Sequence, residues 1–202
     1  MIKKISALLL AGAMMLSLVA CGSQGSGSAS SDPAGSGAVA GLTEAFAEAP
    51  ILVTSGGQSA DYQMVGTLMG KVGMDYEIKN LATSADLGSA KTLIIVVGGS
   101  SKGLGAAGID ADGELARLEE LINGAKSAGL SIIAMHTGGE ARRGELSDKF
   151  ITPIFVKADY AIVVSSGDED GLMAGICSGA GIPMDSIGSI SNVATVLPAA
   201  FK

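Results

Sequence analysis

Six short apolar runs, at 51–54, 76–79, 93–97, 132–135, 161–164 and, more weakly, 187–190, alternate along this chain with amphipathic stretches. That alternation constrains the fold more than any other feature. Runs rich in Val and Ile with few polar interruptions suit strands covered on both faces, the condition of a parallel sheet. The stretches at about 61–72, 113–128, 144–157, 168–180 and 193–201 repeat their apolar residues at helical spacing instead. Strand and helix in turn predict a three-layer α/β sandwich, with a mostly parallel sheet of five or six strands joined by right-handed crossovers. Local signals set the boundaries. Asp112 reads as an N-cap before Glu114, Glu119 and Glu120, with Gly129 and Gly181-Ile182-Pro183 as C-terminal stops. Pro153 kinks or restarts its helix, and a short helix over 43–49 ends at Pro50. Residues 42–202 suffice for one domain that buries roughly 70% of its unfolded surface.

The first 41 residues belong to something else. Lys3 and Lys4 precede an apolar stretch from 5 to 19 that is short of the ~20 residues a spanning helix needs. The pattern is that of a secretory signal at 1–20. It ends in Leu18-Val19-Ala20-Cys21, which resembles the lipobox of bacterial lipoproteins. That resemblance implies cleavage after Ala20, a diacylglycerol thioether on Cys21, and a membrane-anchored protein on the extracytoplasmic face. Gly22 after the cysteine implies the outer membrane where a cell has one. Residues 21–41 would then be the lipidated cysteine plus a flexible linker. Twelve of the twenty residues from 22 to 41 are Gly or Ser, too few apolar groups to offset the entropy of ordering. As a coil they span about 25 Å.

Composition removes several functions. Without residues 1–20 the formal charge moves from −7 to −9, because two lysines leave and no acid does. Nucleic-acid phosphates need a basic footprint, so no nucleic acid is expected as a partner. Cys177 is the one cysteine besides Cys21, which leaves no structural disulfide within a chain. It falls in a helical apolar pattern and reads as core. A single histidine leaves no N/S metal site, and no metal is expected. No tryptophan, three tyrosines and four phenylalanines disfavour a sugar platform.

No cofactor is expected either. The literal G-x-G-x-x-G of Gly103 to Gly108 lies five residues past its strand rather than at the strand–helix junction. A P-loop is absent, and Gly57-Gln58-Ser59-Ala60-Asp61 lacks the final glycine of a G-x-S-x-G elbow. The layout over 51–202 resembles Rossmann-like and flavodoxin-like domains. It is also similar to uncharacterised single-domain lipoproteins of anaerobic bacteria, which implies no particular catalytic residues.

In such sheets ligands sit beyond the carboxyl ends of the strands, where the strand order reverses. With an order 2-1-3-4-5, that point lies between the first and third strands. The strand ends there offer Ser55, Gly56, Gly57, Gln58 and Ser59, then Gly98, Gly99, Ser100 and Ser101 with Lys102. The fourth strand offers His136 and Thr137, followed by Arg142 and Arg143, and the fifth offers Ser165 and Ser166 ahead of Asp168, Glu169 and Asp170. Glycine amides and serine hydroxyls suit close approach to a polar group, and the long loop 98–111 suits a binding loop. Arg142 and Arg143 suit a carboxylate or phosphate clamp. The three acids after Ser166 suit a helix start more than a cation site.

Three functions remain open on these residues. The first is a lipoprotein binding a small polar or anionic ligand, for a neighbouring transporter or sensor. The second is a surface hydrolase or transferase pairing Ser59, Ser100 or Ser165 with His136 as base. The third is a ligand-free interaction module of the envelope.

Overall fold

The apolar runs pair as one parallel sheet. A computed structural model describes residues 39–202, so the signal segment, Cys21 and most of the Gly/Ser-rich stretch lie outside the described residues. Among the described residues six strands occur: β1 (Ile51–Gly56), β2 (Tyr76–Ile78), β3 (Thr92–Val97), β4 (Ser131–His136), β5 (Tyr160–Val164) and β6 (Met184–Ile187). They stand in the order β2-β1-β3-β4-β5-β6, each neighbouring pair parallel. The helices are α1 (Asp61–Lys71), α2 (Ser101–Ala107), α3 (Ala111–Ser127), α4 (Glu145–Phe155), α5 (Leu172–Ala180) and α6 (Val193–Val196).

Alternation along each strand builds two cores. Leu52, Leu93, Ile95, Ile132 and Ala134 face one side and pack with α3, α4 and α5. Val53, Ile94, Val96, Ile133 and Met135 face the other and pack with α1 and the C-terminal segment that includes α6. The fold is therefore the expected three-layer α/β sandwich. Its chain order doubles back between β2 and β3. Right-handed crossovers then force α1 to one face and α3 to α5 to the other. The chains leaving β1 and β3 part to opposite sides, and a crevice opens between them.

Several local expectations give way to tertiary contacts. Residues 43–49 form no helix. Ala47 bridges Phe201, and Glu48 exchanges hydrogen bonds with the Thr92 hydroxyl, its N–H donating at 3.2 Å and its carbonyl accepting at 2.7 Å. Residues 39–41, assigned above to the linker, belong to the folded unit. The Ala40 carbonyl accepts from Met184, and Asp185 accepts from Leu42 N–H and the Tyr160 hydroxyl. Half of the loop 98–111 is α2, capped by Ser100, whose hydroxyl accepts from Gly103 N–H at 3.0 Å. The literal dinucleotide glycines thus lie in and just after this helix.

Other boundaries shift less. Asp110, not Asp112, caps α3, because its carboxylate reaches Gly113 N–H at 2.7 Å. The helix α4 runs on past Pro153, which is exposed in its last turn, where water can replace the missing donor. The last strand lies earlier than its apolar run, at Met184–Ile187. Finally, the β2–β3 crossover carries only the single turn Ser84–Asp86 in place of a full helix.

Candidate functional site

The loops after β1 and β3 are zipped together by their own backbones. Gly98 N–H donates to Gly56 O at 2.8 Å, Ser59 N–H to Gly98 O at 3.0 Å, and Ser100 N–H to Gly57 O at 2.9 Å. Gly99 N–H donates to the Ser147 hydroxyl at 2.9 Å. The glycine amides expected to face a ligand are therefore spent inside the protein. Ser55, Gly56, Gly57, Ser59 and Gly98 are buried scaffold, and Ser55 Oγ donates to the Ser59 carbonyl.

What holds this scaffold comes from α3. Glu114, with no solvent exposure, accepts from Gly57 N–H and from Gln58 Nε2, each at 3.0 Å. Arg117 donates to the same carboxylate through Nε at 2.8 Å and Nη2 at 2.7 Å. Nη1 and Nη2 also donate to the carbonyls of Ala82 and Ser55, respectively, both at 2.7 Å. Gln58 sits in the left-handed region at φ 63°, the one non-glycine residue to do so among those described. Such a conformation costs on the order of 1–3 kcal/mol unless its surroundings impose it. The Glu114–Arg117 pair imposes it.

Above this scaffold lies a crevice of about 640 Å3 at the switch point, lined among others by Gln58, Tyr62, Asn80, Ser100, Lys102 and Arg142. Arg142 Nε stands 3.2 Å from Asp61 Oδ2, which also accepts from the Ser59 hydroxyl at 3.0 Å. Among the described residues no partner is found for the terminal nitrogens of Arg142. One end of the guanidinium is oriented and the other is available. Lys102, on the first turn of α2, adds a second cation. Of the predicted residues, Gln58, Ser100 and Arg142 meet here, and Ser101 stays exposed outside the lining.

Arg143 departs from its expected role. Its Nε donates to Asp148 at 2.8 Å, while Nη1 reaches Gly167 O at 2.6 Å and both terminal nitrogens bond Asp170. The guanidinium ties the start of α4 to the turn after β5 and has no fork left for a ligand. The Asp170 carboxyl is held down at about 2, chiefly by that bond. Two adjacent arginines thus face opposite tasks because the single turn Glu140–Arg142 ends between them.

His136 also departs from its expected role. Its ring is fully buried, with Nδ1 3.1 Å from Val97 O and Nε2 3.3 Å from Gly139 O. Both nitrogens face backbone carbonyls, so the ring is not paired with Ser59, Ser100 or Ser165 as a base would be. Ser165 and Ser166 are exposed in the turn beyond, Ser166 beside Gly139, and neither lines the crevice. Asp168 accepts from Met173 and Ala174 N–H and so starts α5, as expected of an acid there. Thr137 is buried with its hydroxyl unpartnered.

Burial holds the His136 ring below the ordinary imidazole value of 6.5, against the pull of its two carbonyls. The unfolded ring gains a proton near 6.5 and the folded ring resists it. Stability is then complete above pH 6.5 and is lost as pH falls below it. This is the chain's only histidine, so the melting temperature is expected to fall as pH drops below that ordinary value of 6.5. A His136→Gln variant should lack that slope, and an equal slope in both proteins would contradict the assignment.

Neither a group of His, Cys, Asp and Glu suited to a metal nor a helix long and apolar enough to cross a membrane occurs among the described residues. Asp61, Tyr62 and Asn80 escaped the sequence reading, as did the role of Glu114 beneath the loop. Asn80 directly follows the 76–79 run, and the strand-end rule applied to that edge strand would have found it.

Fold and crevice together define an α/β domain with a cationic pocket at its topological switch point. Residues 48–201 match the family described as a domain of unknown function, DUF6305, and the chain belongs to that family. No curated protein sequence matches it. Among solved structures it is similar to TesA, at 12% identity over 67% of this chain and 77% of that one, with a TM-score of 0.30. It is also similar to the psychrotrophic esterase EstA from Pseudoalteromonas sp., in a structure inhibited by monoethylphosphonate. There the identity is 14% over 68% and 76% of the two chains, with a TM-score of 0.31.

Proposed function

We propose that this chain is a lipid-anchored extracytoplasmic lipoprotein whose α/β domain binds a small anionic solute for a neighbouring transporter or sensor. The observation that carries the binding half is Arg142, oriented by Asp61 through Nε and, among the described residues, without a partner at its terminal nitrogens, in the switch-point crevice that Lys102 also lines. A guanidinium held in this way offers a fork to a carboxylate or phosphate with little ordering left to lose. A crevice of about 640 Å3 is within the range that holds a whole small molecule rather than a bare ion.

The test is thermal unfolding of the protein lacking residues 1–21 against small carboxylates and phosphates. A ligand at 100 times its dissociation constant adds about 2.7 kcal/mol, a readily measured rise in melting temperature. Arg142→Ala is expected to weaken binding at least tenfold, and unchanged affinity in that variant overturns the clamp. The anchoring half rests on Cys21 and the residues before it. Cys21→Ala is expected to prevent lipid attachment, read as lost incorporation of labelled fatty acid. Equal labelling of both proteins would refute it.

A further inference from the structure

The geometry points to a narrower ligand class for this crevice: anions that also carry a hydroxyl or amino hydrogen, read by the side-chain oxygen of Asn80. The inference rests on the binding reading above and follows from a chain of hydrogen bonds with one possible polarity. A carboxylate can only accept. Glu114 therefore requires that the Gln58 atom 3.0 Å from its Oε1 be the amide nitrogen. The same nitrogen donates to Asn80 O at 2.9 Å, and this backbone carbonyl likewise only accepts. Gln58 Oε1 is then the acceptor for Asn80 Nδ2 at 3.1 Å, which fixes the Asn80 amide in turn.

What remains is Asn80 Oδ1, without a partner among the described residues, on a half-buried side chain that lines the crevice. The buried ion pair on α3 thus sets, two amides away, which end of Asn80 is anchored and leaves an acceptor unspent. Lys102 and Arg142 supply charge for the anionic group, and Asn80 supplies an acceptor for a donor on the same molecule. A site built around a polar partner discriminates strongly against analogues that lack it, because its own polar group is then left unpaired.

The experiment compares probes equal in charge and differing in one hydroxyl: malate against succinate, and glycerol phosphate against ethyl phosphate. Calorimetry on the unmodified protein, Asn80→Leu and Arg142→Ala reads each affinity. At least tenfold tighter binding of the hydroxylated member of a pair is expected, and Asn80→Leu should erase that preference. Arg142→Ala should weaken both members alike. Equal binding within each pair overturns this inference but leaves anion binding standing. A preference that survives in Asn80→Leu overturns it too. If none of the four probes binds the unmodified protein, the binding reading fails and this inference with it.

Discussion

Glu114→Ala is expected to unfold about 10 °C or more below the unmodified protein. The substitution strands the Arg117 guanidinium, whose side chain is 8% exposed, without its carboxylate. It also removes the acceptor of Gly57 N–H and one acceptor of the Gln58 amide. Breaking a buried pair from one side costs about 3–5 kcal/mol, far more than the pair contributes relative to apolar residues. For a domain of this size each kcal/mol moves the melting temperature by about 2–4 °C. The double replacement Glu114→Met with Arg117→Met should recover much of the loss, since no charge is then left buried. Circular dichroism melts of the three proteins check this. A single variant within about 2 °C of the parent would mean that water enters to solvate Arg117.

Gly103→Ala should also destabilise, against the ordinary rule. Alanine in place of a helical glycine contributes about 1 kcal/mol of stability where there is room. Gly103 has none. A Cβ there would overlap the Gln58 carbonyl oxygen, and its next neighbours are the carbonyl carbon and Cβ of the same residue. The obstacle is backbone held in a left-handed conformation by Glu114, so it cannot swing aside as a side-chain tip would. Overpacking of this kind costs about 1–3 kcal/mol, enough to reverse the sign. Gly105→Ala, two residues on in the same helix with open space at its Cβ, is the control and should be neutral or stabilising. Chemical denaturation of the pair decides it: a gain in both variants would place α2 further from the β1 loop.

How legible the site was depends on the distance over which each residue's role is decided. Arg142 and Ser100 could be read because strand ends at a switch point are where polar groups meet a ligand. Arg143 could not be told apart from Arg142, since only the rotation of one short turn sends it to Asp148 and Asp170 instead. His136 looked like a base at its strand end. Its neighbours turned out to be two backbone carbonyls, contributed by β3 and by the loop after β4. Glu114 read as an acid in the first turn of a helix, complementing the dipole. Its contacts with residues 57 and 58 appear only when α3 packs against the sheet.

The sequence by itself determined the layers and the sheet. A strand covered on both faces must be apolar throughout, and that signal is local, uninterrupted and hard to mistake for an amphipathic helix. The right-handed crossover then placed the crevice before any contact was known. Tertiary structure alone decided which polar groups are spent and which are free. That depends on partners far away in the chain, as with Gly57 and Glu114, 57 positions apart. Buried polar groups must find such partners, and the few left over at the crevice are those a ligand can use.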